Sequence, residues 1–120
     1  MGYYTEYDIS FRPKDETKQL SLDEYDKLNW EFGKALSDIN GNFYSGSTLT
    51  ELISCEVMKW YDHDDDMCLL SARYPDYLFI LEGSGEEYND LWKAYYWNGK
   101  MQFCPARLSF DPFDPIALYG

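Results

Sequence analysis

The sequence predicts an α+β domain, with an antiparallel or mixed sheet of four to five strands and two helices on one face. Three observations lead there: strict alternation in residues 3–11, a capping box at Ser21 that opens a helical apolar stripe, and an Asn98-Gly99 turn signal between two aromatic runs.

In residues 3–11, Tyr3, Thr5, Tyr7, Ile9 and Phe11 fall on one face and Tyr4, Glu6, Asp8 and Ser10 on the other, the pattern of a half-buried strand. Residues 12–19 contain Pro13 and a majority of charged or amide side chains, which reads as a solvated loop. Ser21 is a good N-cap, Glu24 three residues later completes the box, and Asp23 and Glu24 suit the positive end of the helix dipole. Tyr25, Leu28, Phe32, Leu36 and Ile39 then recur at spacings of three and four, and Gly41 supplies the stop. Residues 42–50, rich in Gly, Ser and Thr, read as coil. Ile53, Cys55 and Val57 alternate with Ser54 and Glu56, predicting a second strand over residues 53–61.

Asp62 stands where a cap belongs, and Met67, Leu70 and Tyr74 follow at helical spacing. Pro75 ends that helix because it disfavours α geometry in the residue before it. The continuous run Tyr77-Leu78-Phe79-Ile80-Leu81 has the character of a central strand. Gly83-Ser84-Gly85 then reads as a turn. Residues 91–97 return as an aromatic strand, Asn98-Gly99 tolerates the positive φ of a type I′ turn, and residues 100–104 pair back. Two helices at these spacings suit a ferredoxin-like split βαβ arrangement, written βαβαββ, and the expected core includes Leu28, Phe32, Leu36, Leu70, Leu78 and Ile80. Residues 1–120 form a single domain, of which residues 105–120, with two prolines in Asp111-Pro112-Phe113-Asp114-Pro115, are an irregular tail.

Acidic residues number 22 against 10 Lys and Arg, a net charge of −12, so a sequence-independent grip on nucleic acid has no basic surface to work with. A hydrophobic fraction of 45% and an aromatic fraction of 19% set the chain apart from disordered acidic tails. Without an apolar membrane span or a signal-peptide pattern, a cytoplasmic protein is expected. Three cysteines with no C-x-x-C pair suggest free thiols rather than a disulfide framework.

The charge is concentrated. Between residues 62 and 90, Asp62, Asp64, Asp65, Asp66, Asp76, Glu82, Glu86, Glu87 and Asp90 face the single base Arg73. Asp62, Asp64 and Asp66 have D-x-D-x-D spacing, but a calcium loop needs Gly at the sixth place and Glu at the twelfth, where Met67 and Arg73 stand. The alternative readings are an acidic helix N-terminus stabilised by its dipole and a partner-facing patch. Cys55, His63, Cys68 and Cys104 match no standard zinc spacing, and His63 is the only histidine, so no metal and no cofactor is expected. Ser84 lacks a G-x-S-x-G frame, and Glu86 and Glu87 would repel a phosphate from Gly83-Ser84-Gly85. No catalytic residue is assigned. Tyr88, Trp92, Tyr95, Tyr96, Trp97 and Phe103 crowd one hairpin, and alternation cannot place them all on one face. Either Phe110 and Phe113 fold over the second face, or the exposed aromatics anchor a partner.

Lys59-Trp60-Tyr61-Asp62-His63, Asp66-Met67, Tyr74-Pro75, Leu78-Phe79, Gly85-Glu86-Glu87, Trp92-Lys93 and Asn98-Gly99-Lys100 resemble a group of small phage and bacterial proteins with a Lys-Trp-Tyr-Asp-His block and a Tyr-Tyr-Thr opening strand. The resemblance carries no activity to transfer. For a phage protein of this composition, the analogy is with acidic anti-CRISPR inhibitors. It implies a non-enzymatic protein that occupies the basic nucleic-acid-binding surface of a host defence enzyme through Asp62, Asp64, Asp65, Asp66, Glu82, Glu86, Glu87 and Asp90, with Tyr88 and Trp92 as anchors. The competing expectations are an accessory or housekeeping interaction domain, and a small metal-dependent enzyme using Asp62, Asp64 and Asp66.

Overall fold

A computed structural model describes residues 5–41, 43, 46–53, 57–58, 60, 62–85, 90–106 and 110–120. Its elements run β1 (Thr5–Pro13), α1 (Leu22–Ile39), α2 (Leu49–Ile53), β2 (Val57–Met58), α3 (His63–Arg73), β3 (Tyr77–Gly85), β4 (Leu91–Trp97) and β5 (Lys100–Pro105), followed by a single 3-10 turn at Pro115–Ala117. The sheet order is β2-β1-β3-β4-β5, with four long strands and the two-residue β2 at one edge. The α+β class holds. The split βαβ arrangement is not confirmed: it inserts a third strand between two parallel strands joined through a helix, whereas here β1 and β2 are adjacent and antiparallel, and β3, β4 and β5 follow as a meander.

Alternation in β1 buries Thr5, Tyr7, Ile9 and Phe11 and exposes the residues between them. Phe79, Leu81, Ala94 and Tyr96 continue that face across β3 and β4, and Phe32, Leu36, Leu49, Ile53, Met67 and Leu70 cover it from the helices, all within one core. The Ser21–Glu24 capping box forms in full. Within α1, Phe32 packs edge-on to Phe11, Tyr74, Tyr77 and Phe79 with ring centroids 4.8 to 5.4 Å apart.

The structure corrects several expectations. Residues 49–53 are helical rather than coil and strand: Thr48 Oγ1 accepts from the Glu51 N–H at 3.2 Å, a cap that starts α2. The second strand is reduced to Val57–Met58. Asp62 occupies the N-cap position of α3 without a side-chain capping bond. Gly83-Ser84-Gly85 is strand rather than turn, and Gly83 is small because the Trp92 indole lies over it; a Cβ there would meet that ring at 2.2 Å. Leu78 and Ile80 point away from the helices and are only half-buried, whereas Phe79 and Leu81 are fully buried.

The Asn98-Gly99 turn has φ of 50° and 79°, as a type I′ hairpin requires. Ser71 ties it to α3, accepting from the Gly99 N–H at 3.0 Å while donating to the Cys68 carbonyl at 2.9 Å. Phe110 and Phe113 do not fold over the sheet: they are 87% and 76% exposed, and no helix among the described residues covers the second sheet face.

Candidate functional site

A helix advances about 100° per residue, so consecutive aspartates cannot share one environment. At the start of α3 the run divides. Asp66 is 7% exposed and takes the Trp60 indole N–H and the Asn40 amide on the same oxygen, each at 2.8 Å. Asp64 accepts the Tyr96 hydroxyl at 2.6 Å and lies 2.9 Å from His63 Nδ1. Burial, and then the Asp64 carboxylate, raise the Tyr96 phenol well above the ordinary tyrosine value. Asp62 and Asp65 point to solvent.

Aromatic rings hold this corner. The His63 ring stacks on Trp92 at 5.1 Å, and Trp60 meets Tyr7 and Phe43 edge-on at 5.5 and 5.1 Å. The Tyr7 hydroxyl donates to the Trp60 carbonyl at 3.3 Å. Trp92 is therefore a half-buried internal strut, engaged by His63, Phe103 and Gly83.

Glu82 sits across the sheet from α3, on the open face, with Lys93 Nζ 3.2 Å away. The register places Asp8, Glu82, Lys93 and Cys104 in one row and Glu6, Ser84 and Leu91 in the next. Together these line a shallow cleft of about 680 Å³. Glu6 and Asp8 had gone unassigned as site residues. Their signal was the polar face of the first strand, which becomes a site only once β3 is known to lie beside it with Glu82 opposite Asp8. Asp90 closes the same end of the sheet, its carbonyl accepting the Gly85 N–H at 2.8 Å. Glu86, Glu87 and Tyr88 lie outside the described residues.

The two ends of the sheet differ in charge. Glu6, Asp8, Glu82 and Asp90 share one end with the N-terminus of α3, and Arg12, Lys14, Lys100 and Arg73 lie toward the other, where Asp15 and Asp76 offset part of their charge. Among the described residues, Glu6, Asp8, Asp62 and Asp65 form no ion pair. Among those residues, too, no three His, Cys, Asp or Glu side chains converge as metal ligands, so Asp62, Asp64 and Asp66 are not brought together. Cys68 and Cys104 are free thiols on opposite sides of the sheet, and Cys55 is not among the described residues. Burial, then Asp64 and Asp65, push the Cys68 thiol up, away from the reactive thiolate. No helix among the described residues is long and apolar enough to cross a membrane. In comparisons with family models, curated proteins and solved structures, nothing matches the chain.

Proposed function

We propose that this chain is a non-enzymatic interaction module whose acidic end docks on a basic, nucleic-acid-binding surface of a partner protein, as an inhibitor of a nucleic-acid-processing defence enzyme such as a CRISPR effector would. The observation that carries the reading is the clustering of exposed carboxylates from both faces at one end of the sheet: Glu6, Asp8, Asp62 and Asp65 have no cationic partner among the described residues. Carboxylates in solvent cost little to keep charged, and several on a rigid scaffold set up a field that steers a basic surface into register. Asp64 and Asp66 contribute by holding the corner rather than by touching a partner. Leu91, 46% exposed and in the same row as Glu6 with Ser84 between them, adds apolar contact at the rim of the cleft.

Immobilised protein should capture a basic partner from bacterial lysate at low salt and release it at high salt. The reversal Glu6→Lys with Asp8→Lys and Asp65→Lys should weaken the captured complex by several kcal/mol and slow association. An affinity unchanged by the triple reversal, in a variant that keeps its circular dichroism spectrum, would reject the reading.

A further inference from the structure

Among the described residues, two stretches of apolar surface match each other in chemistry. One is the segment beyond β5, where Phe110, Phe113, Ile116, Leu118 and Tyr119 are 66% to 98% exposed. The other is the middle of the open sheet face, where Leu78, Ile80, Tyr95 and Trp97 stand beside one another with no helix above them among the described residues. Each has what the other lacks. The tail carries Asp111 and Asp114, and the sheet face ends in Arg12 and Lys100, with Lys14 Nζ lying 4.9 Å from the centre of the Trp97 ring.

We infer that the tail is an exchanged arm, laid across the open sheet face of a second copy of this chain while that copy's tail covers the first. The chain's own face is not the acceptor, because the tail's apolar side chains are clear of it in the single copy. Reach is ample: the fifteen residues after Pro105 span up to about 50 Å when extended, against about 20 Å for a strand of seven residues. So is area. A buried aromatic contributes about 150–250 Å², so three aromatics with Ile116 and Leu118 from each of two arms reach about the 1,200–2,000 Å² of a stable interface. Such an exchange closes with two-fold symmetry, each copy's tail and sheet face being used by the other. It uses the apolar and basic part of the open face, so the acidic end stays free and the inference does not depend on the proposed function.

Sedimentation equilibrium of the full chain at physiological ionic strength tests it. A reversible monomer–dimer equilibrium is expected, and Phe113→Asp with Ile116→Asp should raise the dissociation constant at least about tenfold while leaving the unfolding midpoint of the monomer, measured well below the dissociation constant, unmoved, since both side chains are exposed in the single copy. Arg12→Glu with Lys100→Glu should weaken the dimer similarly, and adding Asp111→Lys with Asp114→Lys should restore it. A chain that stays monomeric overturns the inference, whether hydrogen exchange finds the tail exposed or folded on its own sheet. So does a dimer indifferent to these substitutions.

Discussion

Asp66 accepts two hydrogen bonds on one carboxylate oxygen in a nearly dry setting, so removing it takes away the partner of the Trp60 indole N–H and one partner of the Asn40 amide. A buried donor left unmet costs about 1–3 kcal/mol. Asp66→Ala should therefore destabilise the fold by about 2–3 kcal/mol, and Asp65→Ala, on the solvent side of the same turn, should stay within about 0.5 kcal/mol. Urea unfolding of the two variants measures both. Equal costs would mean that the inward and outward aspartates are misassigned. The sequence carried part of this distinction: Asp66 precedes Met67 and stands four residues before Leu70, which puts it on the apolar side of the helical wheel. Its donors were not legible. Trp60 and Asn40 reach it from other parts of the chain, and no local pattern announces such a meeting. Gly83 was misread for a related reason, because the ring that requires a glycine there belongs to Trp92 on the neighbouring strand.

At the level of elements, patterns that carry a phase were read correctly and patterns without one were not. The alternation of β1, the capping box of α1 and the positive-φ turn at Asn98-Gly99 each specify a geometry on their own, and each is present. The apolar run of β3 has no polar residue to say which side chains face the helices. Its phase comes from β1, whose Ile9 and Phe11 stand opposite Leu81 and Phe79. Ile53 fits both a strand with Cys55 and Val57 and a helix with Leu49 and Leu52, and Thr48-x-x-Glu51 was the capping signal that favoured the helix. Phase in β3 has a direct consequence. Phe79→Ala should cost about 3–5 kcal/mol, as large-to-small changes in a packed core do, and Ile80→Ala markedly less because its side chain is only partly buried. Chemical denaturation of the pair would show the reverse order if β3 were out of register by one residue.

For the whole molecule, charge carries a cost in stability. A net charge of −12 on one domain repels itself, and the repulsion is worst where like charges meet at close range. The register sets Asp8 directly opposite Glu82, and Lys93 answers only one of them. Like charges across a strand pair are destabilising, by up to about 1 kcal/mol, and opposite charges are stabilising by a similar amount. Asp8→Lys should accordingly stabilise the isolated protein by about 0.5–1 kcal/mol at low salt, and the gain should shrink as added salt screens the repulsion in the unsubstituted chain. On the proposed function, the same change should weaken partner capture, because it removes a carboxylate from the proposed docking end and sets a like charge against a basic surface. Thermal unfolding across a salt series and affinity measured on the captured partner give the two halves. A variant that loses stability, or that gains it equally at every ionic strength, refutes the electrostatic origin of the cost. A variant that is more stable and binds as well as before would move the functional surface away from this end of the sheet.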